Sequence, residues 1–336
     1  MGFKRLDAED FVVSADAVQS VAWSTGAPTL TAYFTSSVQA AGSSGNYYLS
    51  VYQTSSTLST TAVQFDIAYA DVLGSGSEYF NSAITDRTPS STTFGQYRSL
   101  VLEDENANFT FGDGTNLITG SNFWVISPER ARYKEKLFPG TFNLSLSGSN
   151  GLIQLTDNSN DVSTQTFLGT TRVFQIVSGS NGSAYSTTGY VAGSGSYGLF
   201  LPDIATIILN PYAVSQSIHV ETDRAANLTN GTNQATLYDA LVLGDGFTLN
   251  AEETITSDYV FVRSRNAEFN YSANPSFISG STGEVIYSSF INNPQVYVTT
   301  VGMYNDANEL VAVAKLSRPL LKDFTKESLV RVKLDF

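Results

Sequence analysis

Apolar and polar side chains alternate with a period of two through much of this chain. Val63, Phe65, Ile67 and Tyr69 are separated by Gln64, Asp66 and Ala68; Phe142, Leu144 and Leu146 by Asn143 and Ser145; Val330, Val332, Leu334 and Phe336 by Arg331, Lys333 and Asp335. A strand sends successive side chains to opposite faces, so this pattern predicts strands with one covered face. Residues 47–52, 171–177, 259–263, 296–301 and 310–316 read as further strands. Asn305, Asp306, Ala307 and Asn308 lie between the last two as a hairpin connection.

Helix signals are few. Ser127, Pro128 and Glu129 form an N-cap and first turn, and Pro139-Gly140 is a stop signal, which predicts a short helix over 129–137. A second is expected around 322–328. The 336 residues exceed what one core usually serves. The glycine-rich stretches 42–45, 179–182 and 193–198 read as loops, and Pro211 closes an apolar run. The expected architecture is therefore all-β: two β-sandwich-like domains, an extended N-terminal arm and one or two short helices. The boundaries are an arm over 1–45, a β-rich domain over 46–212 and a C-terminal β domain over 213–336.

Composition restricts the function. Asp and Glu outnumber Lys and Arg by 31 to 18, a net charge of −13. That field repels phosphate backbones and anionic lipid heads, so neither nucleic acid nor a membrane is expected as partner. There is no cysteine, which excludes disulfides, thiolate metal sites and thiol nucleophiles. The N-terminal Lys4-Arg5 pair runs into Asp7, Glu9 and Asp10 with no apolar stretch, so no secretory signal is expected.

No group of residues completes a catalytic or cofactor motif, so no enzyme activity and no cofactor are expected. His219 is the only histidine, and no Gly-x-Ser-x-Gly elbow accompanies it. Asp157, Ser159 and Asp161 alternate as calcium ligands do, but the glycine and terminal glutamate of a calcium loop are missing, and Asx turns explain them. Glu103, Asp104 and Glu105 are the acids a glycan-cleaving pair would draw on. The most unusual local charge is in residues 127–136, where Arg130, Arg132, Lys134 and Lys136 cluster in an otherwise acidic chain. They read either as a solvated helix face or as an assembly contact for an acidic partner or a neighbouring copy.

Four stretches carry a family resemblance. They are the opening Phe-Lys-Arg-Leu-Asp-Ala-Glu-Asp-Phe-Val-Val-Ser-Ala-Asp, Pro-Glu-Arg-Ala-Arg-Tyr-Lys-Glu-Lys-Leu-Phe-Pro-Gly at 128–140, Ala-Glu-Phe-Asn-Tyr-Ser-Ala-Asn-Pro-Ser-Phe at 267–277, and the end from Asn292, with Thr-Thr-Val-Gly-Met-Tyr-Asn-Asp-Ala-Asn-Glu-Leu-Val-Ala-Val-Ala-Lys-Leu. Together they resemble virion structural proteins of contractile-tailed phages that infect marine cyanobacteria. The resemblance implies a non-enzymatic tail component, in the baseplate wedge or tail-fibre attachment region, assembled in the host cytoplasm. Its implied partners are other tail and baseplate proteins and copies of itself. A cysteine-free β body suits assembly in a reducing cytoplasm and service outside it. The rival readings are a host-surface glycan-binding module, with an aromatic platform at Trp23 or Trp124, and a polysaccharide depolymerase with an acidic cleft.

Overall fold

The computed structural model describes residues 3–30, 35–40, 46–53, 61–72, 89–186, 189–191, 193–220 and 232–335. The glycine stretch 42–45, Glu221 and Phe336 lie outside them. The strands, in chain order, are β1 (Phe11–Val21), β2 (Thr29–Leu30), β3 (Thr35–Ala40), β4 (Asn46–Tyr52), β5 (Val63–Asp71), β6 (Phe109–Phe111) and β7 (Ile118–Gly120). They continue with β8 (Asn122–Pro128), β9 (Lys136–Leu137), β10 (Asn143–Gly148), β11 (Gly151–Asp157), β12 (Thr166–Leu168), β13 (Thr171–Ser180) and β14 (Ser183–Ala184). The last seven are β15 (Gly198–Leu201), β16 (Thr206–Leu209), β17 (Phe247–Thr248), β18 (Asn250–Ser264), β19 (Val296–Tyr304), β20 (Leu310–Lys322) and β21 (Ser328–Asp335). The α-helices are α1 (Pro89–Tyr97), α2 (Pro211–Val214), α3 (Thr232–Gly244) and α4 (Ser289–Asn292). The all-β class with few short helices holds.

The chain divides into two compact units, Val18–Glu253 and Met1–Ala17 with Thr254–Phe336. In the larger unit one antiparallel sheet runs β2-β17-β10-β11-β13-β15-β16-β8-β5-β4-β3, with β12 and β14 added to β13. The sheet curls. Phe65 of β5 and Phe247 of β17 have six strands between them in this order, yet their rings lie 5.4 Å apart. Trp23, Phe142 and Phe200 extend this aromatic chain, and Leu237, Ala240 and Leu241 of α3 pack into the same core. A Cβ at Gly244 would lie 2.0 Å from the Ser145 carbonyl oxygen, so α3 ends against β10 only because that position has no side chain.

A second core lies on the opposite face, where Phe94 of α1 and Phe109 and Phe111 of the β6–β7 hairpin cover the sheet. Strand β8 shows the consequence. Trp124 and Ile126 point into the first core, Phe123 and Val125 into the second, so this stretch is apolar at every position rather than alternating.

The expected boundaries at 45 and 212 both fall inside the larger unit. Strands β2 and β3 are members of its sheet, and β17, far beyond 212, pairs with β10. Part of the segment read as an arm, residues 11–21, is strand β1, paired with β18.

The smaller unit holds most of the sheet β1-β18-β21 and all of the separate hairpin β19–β20. Val260 of β18 faces Val332 of β21, and both are buried. Val330 and Leu334 are half-buried, whereas Leu329, Arg331, Lys333 and Asp335 are exposed, as the alternation requires. Lys322, fully buried, anchors the end of β20. Its ammonium donates to the Asn270 side chain at 2.7 Å and to the carbonyls of Asn266 and Asp323 at 3.0 Å each. Three acceptors offset much of the cost of taking that charge out of water.

Neither expected helix forms. Residues 130–132 make a single 3-10 turn, and Lys136–Leu137 are the strand β9, paired with Ala251 and Glu252. Leu137 is fully buried in the first core, and extended backbone is what delivers it there. Tertiary burial overrides a local cap signal of modest strength. The 322–328 segment begins with the buried Lys322, turns at Asp323, whose carboxylate accepts from the Thr325 backbone and hydroxyl, and runs into β21.

Candidate assembly surface

The four basic residues of the 127–136 segment have different environments. Arg130 folds back on its own turn, donating to the carbonyls of Tyr133 and Lys134, with its guanidinium 4.7 Å from the Tyr133 ring centre. Lys134 reaches Glu253 at 2.7 Å while its side chain stays 72% exposed. Lys136 is half-buried, 3.8 Å from Glu135. Arg132 is half-buried, and its Nε is shielded from solvent with no hydrogen-bond partner among the described residues. Lys134 and Arg130 are the exposed members of the group, and Arg130 is occupied in shaping the turn.

Asp157, Asp161, Glu103 and the two tryptophans make contacts within the fold. Asp157 is buried and accepts backbone N–H groups of Gly140 and Ser159, and Asp161 accepts from Ala184. Burial raises the Asp157 carboxyl above its ordinary value, against the hydrogen bonds that pull it down. The Ser159 contact is the Asx turn that the spacing suggested, whereas those from Gly140 and Ala184 are long-range contacts to other loops. Glu103 sits in a left-handed turn after α1 and accepts from Thr170. His219 is exposed in a segment without regular secondary structure. Trp23 and Trp124 are buried, their indole N–H groups donating to the carbonyls of Phe247 and Asn233 at 2.8 Å, so neither forms an exposed platform.

The smaller unit has the opposite character. Among the described residues its buried apolar side chains are Val260, Phe277 and Val332, while it holds most of the large apolar side chains that are exposed. Val13 and Val311 are each 69% exposed, and Tyr297 66%. Single exposed apolar residues are ordinary on any surface, but a concentration of them marks an interaction site. The sequence pattern concealed this, because alternation in β19 and β20 reads the same whether or not anything covers the apolar face.

The same unit has an open hollow of about 410 Å³ lined by Phe269, Tyr271, Phe277, Phe290 and Phe324. Phe277 and Phe290 stack at 5.0 Å, and Phe269 is held at φ 56°, a left-handed conformation that is costly for a bulky residue. The amide of Asn270, the polar side chain on its wall, is occupied by Lys322 and the Asn266 carbonyl. That leaves the hollow an apolar surface, poorly suited to orienting a sugar through hydroxyl contacts.

Comparison with protein-family models, curated proteins and solved structures finds no match to the chain.

Proposed function

We propose that this chain is a non-enzymatic structural subunit of a multi-protein assembly, and that the assembly is the tail of a contractile-tailed phage. The observation that carries the first part is the smaller unit, few of whose apolar side chains are buried and many of which are exposed, in contrast to a larger unit with two closed cores. An apolar surface of this kind is stabilised by a partner, since each such side chain gains about 1.5–3 kcal/mol on full burial. The second part rests on the resemblance to cyanophage virion proteins, which points to the baseplate wedge or the tail-fibre attachment region. The partners are then other tail proteins and further copies of the chain, with Lys134 and its basic neighbours as a second contact.

Quantitative mass spectrometry of purified tails tests this reading. The chain is expected in a fixed, integral ratio to the tail tube protein. Absence from particles whose genome encodes it overturns the phage assignment.

A further inference from the structure

The β19–β20 hairpin is built to be covered. A two-stranded hairpin is at best marginally stable alone in water, and this one pairs with no other strand among the described residues. Both its faces are apolar. Val301 and Met303 pair across from Ala314 and Ala312 on one face, where all four are half-buried. On the other, Tyr304 pairs with Leu310 and Gly302 with Val313, and Tyr304, Leu310 and Val313 are exposed. A Cβ on Gly302 would sit 3.2 Å from the Tyr304 ring and 3.3 Å from Leu310, so these two side chains lie over the glycine as a continuous apolar surface.

Charge is arranged along the hairpin, not scattered over it. The tip carries Asp306 and Glu309, and Asn305 fixes Glu309 by donating to its carboxylate at 2.8 Å. The stem carries Lys315 and Arg318. All four charged residues are exposed and form no ion pair among the described residues. Glu309 and Lys315 are six positions apart on nearly extended chain, about 20 Å at a rise of ~3.4 Å per residue. The order acidic tip, apolar middle, basic stem is its own complement when a second hairpin is laid on it in the opposite direction.

We infer that the occupant of this face is the same hairpin of a second copy of the chain, antiparallel to the first about a two-fold axis near Val313. The two acidic tips then meet the two basic stems, and Tyr304, Leu310 and Val313 of both copies are buried between them. An isologous contact requires such a self-complementary surface, and opposite charges at its ends set the direction of pairing. A contact of this size is at the small end of protein interfaces, so the pairing is concentration-dependent. The inference deepens the assembly reading and rests on it, by naming one partner.

The test uses the full chain in two charge-reversed forms, Lys315→Glu with Arg318→Glu, and Asp306→Lys with Glu309→Lys. The first pair breaks no ion pair or hydrogen bond of the described residues, and an unchanged melting transition checks the fold of both. Sedimentation across a concentration series is expected to show dimers for the wild type, with each variant needing at least about tenfold higher concentration to pair. An equimolar mixture of the two variants restores every opposite-charge contact, and native mass spectrometry of that mixture is expected to show a restored dimer of one copy of each. A wild type that stays monomeric, variants that pair as well as it does, or a mixture that stays monomeric each overturns the inference. A monomeric chain found at fixed ratio in tails overturns self-pairing alone, and a self-pairing chain absent from tails overturns the phage assignment alone.

Discussion

Phe65 and Phe247 stand 5.4 Å apart in an edge-to-face contact, although six strands separate theirs in the sheet. The contact is therefore a closure contact between distant parts of one curled sheet, with Trp23 packed on both rings. Phe247→Ala opens a cavity among the rings of Trp23, Phe65 and Phe142 and is expected to cost about 3–5 kcal/mol. Phe167→Ala, on a ring 53% exposed, is expected to cost within about 0.5 kcal/mol. Urea unfolding of both variants measures the difference.

Lys322 should matter far more than a lysine usually does. Lys322→Met preserves most of the volume but leaves the Asn270 side-chain oxygen without its donor and takes one of two donors from each of the Asn266 and Asp323 carbonyls. The expected loss is on the order of 2–3 kcal/mol, confined to the smaller unit. Hydrogen exchange resolved by segment checks both the size and the location.

Acid stability should depend on the Arg172–Asp203 pair, in which the guanidinium donates to the carboxylate at 2.6 and 3.1 Å and the Arg172 backbone adds a bond at 3.0 Å. Burial acts to raise the Asp203 carboxyl, and Arg172 outweighs it, holding the group below its ordinary value. The unfolded chain then binds the proton more tightly. The stabilisation is present above the ordinary aspartate pKa of about 3.9 and is lost as pH falls through the lower folded value. Asp157 runs the other way: its raised carboxyl favours the fold at low pH, and that contribution is lost as pH rises through the raised value. Asp203→Asn is expected to lower stability at neutral pH and to flatten the acid limb, while the Asp157 contribution cancels in the comparison with wild type. Urea midpoints measured across the acid range give both slopes.

Lys134→Ser separates docking from folding in the basic segment. Its partner Glu253 is lost, but the lysine end of the pair is solvent-exposed and the pair should contribute within about 1 kcal/mol. If the segment docks in the tail, incorporation of the variant into particles falls while its melting temperature holds. Arg130→Ser is the poorer probe, because Arg130 also shapes its own turn.

The sequence was most readable where one face of a strand is covered and the other is wet. Strands β10 and β21 follow their alternation, whereas β5 sends Phe65, Ile67 and Tyr69 into the first core but has Gln64 and Ala70 buried as well; the Asn305–Asn308 turn forms the hairpin expected of it. Helix α3 left a trace in Leu237, Ala240 and Leu241, spaced for one helical face, beside a polar run that hid it. Helix α1 left none: Pro-Ser-Ser-Thr-Thr-Phe-Gly-Gln-Tyr is rich in residues that prefer turns and strands, and packing against β5 decides its conformation. Of the basic segment the charge was legible, but the fold-back of Arg130 was not, since it depends on where the buried Leu137 pulls the chain. The exposure of the smaller unit was beyond any periodic pattern, because a pattern reports which residues share a face and not what covers it.

Whether the smaller unit is an assembly surface can be decided by hydrogen exchange of the chain in purified tails, compared with the free protein. Strong added protection is expected in the smaller unit, greatest in β19 and β20, with little change in the two closed cores of the larger unit. Equal exchange of β19 and β20 in the free and the assembled chain would contradict the proposed role.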